Sequence, residues 1–111
     1  MDRELLKGYI DVIILGIVKN NRIYGYNIIK KISTVSESYL EIKEGTLYLA
    51  LKRLEKKEYL SSSWYTENTY PKRKYYEITD KGISYLEERY NEINKINKIT
   101  DRIIKGDELN E

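Results

Sequence analysis

The 111 residues weigh 13.3 kDa, with 41% of them apolar and 34% charged, which is the balance of one folded domain able to bury a core without metal or disulfide. Cysteine and histidine are both missing. That excludes disulfide scaffolds, thiolate nucleophiles, Cys/His zinc sites and His-based acid–base catalysis. The net charge of +2 conceals a division: residues 19–74 carry 12 basic and 6 acidic side chains, whereas residues 1–18 net −1 and residues 75–111 net −3. A basic middle between neutral-to-acidic ends suits a protein that turns one face toward a polyanion, although solvated lysines in a Lys-, Ile- and Asn-rich chain give the same tally.

In chain order, the first signal is a nearly unbroken apolar stretch from Leu5 to Val18. Its fourteen residues favour a helix over a buried strand, and apolar side chains on every side of a helix must be covered on every side. A chain this short has little material for that, so a partner chain is implied. The uncharged apolar run Val12 to Val18 is far below a membrane span. Met1-Asp2-Arg3-Glu4 lacks the basic start of a signal peptide, and the expected location is the cytoplasm with no membrane contact.

Residues 25–36 read as a short amphipathic helix with Ile28, Ile29 and Ile32 on one face, and residues 44–58 as a third helix. In the third, Leu47, Ala50, Leu51 and Leu54 form the inward stripe, while Thr46, Leu49, Lys52, Arg53 and Lys56 point away from it. The period then changes to two over Leu60–Thr66, a turn follows at 67–72, and Arg73–Ile78 is a second β-prone run, so a hairpin is expected. Thr79-Asp80 caps a last helix over residues 80–105, about 39 Å long. Its apolar residues Ile83, Leu86, Tyr90, Ile93, Ile96, Ile99 and Ile103 recur at intervals of 3, 4, 3, 3, 3 and 4, nearer the 3.5 of a coiled-coil seam than the 3.6 of a straight helix. A seam that outruns its own core asks for a twofold-related copy.

Three helices, a hairpin and a long helix, in that order, specify a mainly α (α+β) fold: a winged helix-turn-helix with a long C-terminal dimerisation helix. The expected division is a DNA-binding domain over 1–79, the dimerisation helix over 80–105 and a disordered acidic tail over 106–111. In such a module the third helix lies in the DNA major groove, so Thr46, Lys52, Arg53 and Lys56 face the duplex and the Lys72-Arg73-Lys74 run sits at the wing tip.

From Leu5 to about Ile104 the chain resembles the small members of the PadR family of bacterial transcriptional regulators. The resemblance rests on Leu5-Leu6-Lys7-Gly8, Tyr24-Gly25-Tyr26-Asn27-Ile28-Ile29-Lys30, Glu44-Gly45-Thr46-Leu47-Tyr48 with Leu51-Lys52-Arg53-Leu54-Glu55, and Arg73-Lys74-Tyr75-Tyr76 followed by Ile78-Thr79-Asp80-Lys81-Gly82. It implies a homodimeric DNA-binding repressor whose last helix packs on the partner's first helix. By family pattern the DNA contacts fall on Tyr26, Thr46, Tyr48, Lys52, Arg53, Arg73 and Lys74; for Tyr48, packing beside the apolar stripe is the equal alternative. Three departures stand out. Leu49 replaces a frequent proline and presents an apolar side chain that suits a thymine methyl. Glu58-Tyr59 replaces a common glycine, which argues against the usual left-handed cap. Tyr70-Pro71 replaces wing glycines and stiffens the tip.

Some small family members bind flat aromatic drugs between paired tryptophans of the last helix; here Ile93 holds the comparable place. A pore lined by Asp11, Val12, Tyr90, Ile93 and Asn97 suits an apolar effector, and equally these side chains fill a dimer core. Two readings stay open: a dimeric repressor released by a small apolar or aromatic molecule, and a winged-helix DNA-binding protein without an effector, such as an autorepressor or plasmid maintenance factor. A winged helix used only for protein contacts is the third. An enzyme is not expected, since no glycine-rich phosphate loop, catalytic pair, metal site or cofactor motif is present. The expected partner is a pseudo-palindromic duplex with half-sites about 10 base pairs apart.

Overall fold

The computed structural model describes residues 1–65 and 73–106. The elements run α1 (Arg3–Lys7), α2 (Ile10–Asn20), β1 (Ile23–Tyr24), α3 (Gly25–Val35), α4 (Glu44–Lys56), β2 (Leu60–Tyr65), β3 (Arg73–Ile78) and α5 (Asp80–Ile104). The second and third expected helices, the wing strands and the long final helix fall close to where the sequence places them; the expected loop at 67–72, with Lys72 of the wing tip, and residues 107–111 of the acidic tail lie outside the described residues.

The expected single helix over Leu5–Val18 is two helices. The Asp2 carboxylate caps α1 by accepting the Glu4 N–H at 2.7 Å. At Gly8 and Tyr9 the bonds tighten to three-residue spacing, Gly8 N–H to the Leu5 carbonyl and Tyr9 N–H to the Leu6 carbonyl. The break leaves Leu5 exposed while Ile10, Ile14, Leu15 and Val18 are buried in α2. Val12, Ile13 and Ile17 cover the remaining sides only partly, packing against the same core.

The sheet has a third strand that the sequence reading lacks. β1 pairs antiparallel with β3 (Ile23↔Tyr76, Tyr24↔Tyr75), giving the order β1-β3-β2. Two residues are too few for an alternation signal. α4 buries Leu47, Ala50, Leu51 and Leu54, as its period requires, against Ile14, Leu15, Ile28 and Ile32.

The left-handed cap after α4 forms without glycine, contrary to expectation. Glu58 takes φ +66°, the Tyr59 N–H reaches the Leu54 carbonyl at 2.9 Å and the Glu58 N–H reaches the Glu55 carbonyl at 2.9 Å. Those are the two bonds of a Schellman turn. The turn is held from the next element: Thr79 Oγ1 donates to the Glu58 carbonyl at 2.6 Å and accepts the Gly82 N–H at 2.9 Å, which also caps α5. Gly82 permits this closeness, because a Cβ there would drive into the Tyr59 carbonyl oxygen.

From that anchor α5 leaves the body. Leu86 is buried, but Tyr90, Ile96, Ile99, Ile103 and Ile104 are all exposed, and the described residues extend 67 × 29 × 20 Å.

Candidate nucleic-acid interface

With its core stripe turned inward, α4 offers an outer face and two flanks. Leu49 (70% exposed), Lys52 and Lys56 occupy the outer face. On one flank Thr46 and Arg53 join Leu49 along a cleft of about 860 Å³, whose far wall includes Leu6, Ile10 and Asp11 of α1 and α2. Across it Arg53 Nη2 lies 2.5 Å from Asp11 Oδ1. The carboxylate retains only 22% of its side-chain exposure, so this pair is better shielded than an ordinary surface ion pair.

The other flank, carrying Tyr48, opens on a second cleft of about 730 Å³ between the start of α3 and the wing. Tyr24, Gly25, Tyr26, Asn27, Lys30, Tyr48, Trp64, Arg73, Lys74 and Tyr76 line it; among the described lining residues three are cationic and none is acidic. Tyr48 packs flush on the first residue of α3, so that a Cβ on Gly25 would stand 2.8 Å from its hydroxyl oxygen. Burial, with the Glu44 carboxylate behind it, raises the Tyr48 hydroxyl above the ordinary phenol range, and it faces the cleft as a neutral O–H. The cations lie on aromatic faces: Lys30 over Tyr26 at 5.4 Å, Arg73 over Tyr24 at 4.8 Å, and Lys74 between Trp64 at 5.7 Å and Tyr76 at 5.8 Å. The Tyr75 hydroxyl donates to that of Tyr24, bracing the strand that carries Arg73. Lys74 also stands 3.8 Å from Glu55, which accepts from the Ser62 hydroxyl.

The residues expected to meet DNA therefore divide among three surfaces of one side of the domain. Tyr26, Tyr48, Arg73 and Lys74 share the wing cleft; Lys52 and Lys56 occupy the ridge between the clefts; Thr46, Leu49 and Arg53 border the α1–α2 cleft. Lys72 lies outside the described residues. Lys30 and Trp64 line the wing cleft although neither was in the expected set. The signal for Trp64 was available, because Leu60, Ser62 and Trp64 alternate onto one face of β2 and Leu60 is core.

The five expected pore residues do not meet within one chain. Ile93 and Asn97 border a hollow of about 330 Å³ with Gly8, Tyr9, Arg89, Glu92 and Ile96. Asp11 lines the α1–α2 cleft, paired with Arg53; Val12 packs on the core; Tyr90 is 55% exposed. Among the described residues no cluster of three potential ligands could hold a metal ion, and no helix is long and apolar enough to cross a membrane.

The model of the transcriptional regulator PadR-like family matches residues 14–88. A transcriptional regulator from Clostridium thermocellum is 35% identical, covers 92% of this chain and 96% of its own, and superposes with a TM-score of 0.85. A PadR family transcription regulator from Clostridium difficile is 37% identical over 86% of this chain and 98% of its own, with a TM-score of 0.75. PadR of Bacillus subtilis, solved in complex with operator DNA, shares the fold at a TM-score of 0.65, with 23% identity over 71% of this chain and 45% of its own.

Proposed function

The chain belongs to the transcriptional regulator PadR-like family, and from that premise we propose that it acts as a cytoplasmic homodimer that binds a pseudo-palindromic DNA operator and represses transcription. Residues 1–79 serve as the reader and residues 80–105 as the dimerisation helix. The observation that carries the reading is the pairing of a cleft whose described lining has three cations and no carboxylate, beside the exposed face of α4, with an apolar seam whose outer residues Tyr90, Ile96, Ile99 and Ile103 are exposed. The first supplies the attraction to a phosphate backbone that underlies all duplex binding. The second supplies the twofold axis that sets two readers at one spacing.

Within this reading Lys52, Lys56, Arg73 and Lys74 position the domain on phosphates, while Thr46, Leu49 and Arg53 reach base edges. Supporting it, B. subtilis PadR, which has the same fold, was solved with operator DNA. Fragments selected by the protein from genomic DNA test the proposal. The expected enrichment is a pseudo-palindrome whose half-site centres are about 10 base pairs, or a multiple of that, apart. Adding apolar and aromatic compounds to the bound operator then separates a repressor released by an effector from one that has none.

A further inference from the structure

Trp64 is the only tryptophan in the chain, and it is 57% exposed. Its placement follows from the register of the wing. Leu60 opposes Ile78, Ser62 opposes Tyr76 and Trp64 opposes Lys74, so these three pairs share one face of the sheet. At its root that face is core, with Leu60 2% and Tyr76 4% exposed. At its far end the same face has run past the helix that covers it. Trp64 and Lys74 are left bordering the open cleft with Tyr26, Lys30, Tyr48 and Arg73. Beyond its contact with Lys74, a large aromatic left half in water on the inward side of a sheet contributes little to the isolated domain, since burial is where its apolar area stabilises.

We propose that Trp64 is a DNA-backbone contact: its indole N–H donates to a phosphodiester oxygen seated in this cleft, alongside the Tyr48 and Tyr26 hydroxyls and the Lys30 and Lys74 ammonium groups. The cleft offers neutral N–H and O–H donors and three cations with no carboxylate among its described lining residues, which is the complement of an anion rich in acceptors; of the three, Lys74 alone has a described acidic neighbour, Glu55, behind it. Two planar side-chain forks of the kind that pairs with a base edge border it, the Asn27 amide and the Arg73 guanidinium, which lies over Tyr24; the indole, with one N–H and no acceptor, is not such a fork. Trp64 thus positions rather than specifies. The inference rests on the operator-binding reading above.

Duplex titrations at several salt concentrations test it, using wild-type protein, Trp64→Phe and Lys74→Ala. Trp64→Phe keeps the aromatic face and removes the donor. It is expected to weaken binding to operator and random duplexes alike by about threefold to tenfold with an unchanged salt slope, because no charge is lost. Lys74→Ala is expected to reduce the slope by about one phosphate contact. In the wild type the Trp64 fluorescence is expected to change on adding duplex at concentrations where an equal concentration of inorganic phosphate has no effect. Unchanged affinity in Trp64→Phe overturns the assignment, as does a loss confined to one operator base pair or a fluorescence change with inorganic phosphate alone. Failure of the wild type to bind any duplex overturns the operator reading, and this assignment with it.

Discussion

Arg53 of α4 and Asp11 of α2 meet at 2.5 Å across the cleft beside the exposed face of α4. The sequence reading places these two residues in separate sites, the guanidinium on DNA and the carboxylate in a pore. Their contact joins the helix proposed to read DNA to the helix that α5 packs against. In the free protein Arg53 is thus held by an acid that any phosphate or base must displace.

Removing that competitor should favour DNA. Asp11→Asn is expected to tighten duplex binding severalfold while lowering stability by about 0.5–1 kcal/mol, the scale of a partly exposed ion pair. Arg53→Ala is expected to cost on the order of 1–3 kcal/mol at a cognate operator if it reads a base. Anisotropy titrations on operator and random duplexes give both values. Equal losses on the two duplexes reassign Arg53 to the backbone.

The junction between α4 and α5 sets a second expectation. Glu58 adopts a left-handed conformation that costs a non-glycine residue about 1 kcal/mol, and its ion pair with Lys81, 3.7 Å across an exposed surface, returns little. Glu58→Gly should therefore stabilise the fold by about 0.5–1 kcal/mol and raise Tm by a few degrees. Gly82→Ala should do the reverse by about 2 kcal/mol or more, since its methyl meets the Tyr59 carbonyl rather than a side chain that can turn away. Thermal unfolding followed by circular dichroism reads both.

The seam of α5 sets a third. Ile99 is 43% exposed on the apolar side, whereas Lys98 beside it is exposed and already charged. Ile99→Glu places a like charge on each side of the proposed twofold interface and is expected to convert the proposed dimer to single chains. Lys98→Glu is expected to leave the dimer intact. Sedimentation velocity at micromolar concentration separates the species, and circular dichroism confirms that the variant remains folded.

The cleft beneath the wing sets a fourth. Gly25→Ala pushes a methyl against the Tyr48 ring, whose end can swing outward. The expected result is a small change in stability and a larger loss of duplex affinity, about fivefold, because Tyr48 then closes part of the cleft. Parallel melting and binding curves measure the two effects.

The later helices and the wing strands were legible from their periods: the four-residue stripe of α4, the alternation of β2 and the seam of α5 fall on the observed buried or exposed apolar faces. What escaped the sequence depends on neighbours distant in the chain. β1 is a strand only because β3 runs beside it. The break at Gly8 interrupts an apolar run whose composition is uniform on both sides. Glu58 accepts a left-handed conformation because Thr79 and Tyr59 hold the turn. In the candidate site, period alone located the exposed residues of α4 but not their division. Thr46 and Arg53 turn toward α1 and α2, while Tyr48 turns toward the wing, and only the packing of α4 between those elements determines which flank faces which.

The stoichiometry of the complex bears most directly on the central claim. Sedimentation equilibrium of a labelled operator duplex with this protein at low salt is expected to yield one duplex carrying two chains. A complex of one chain per duplex, or no complex at all, would contradict the account.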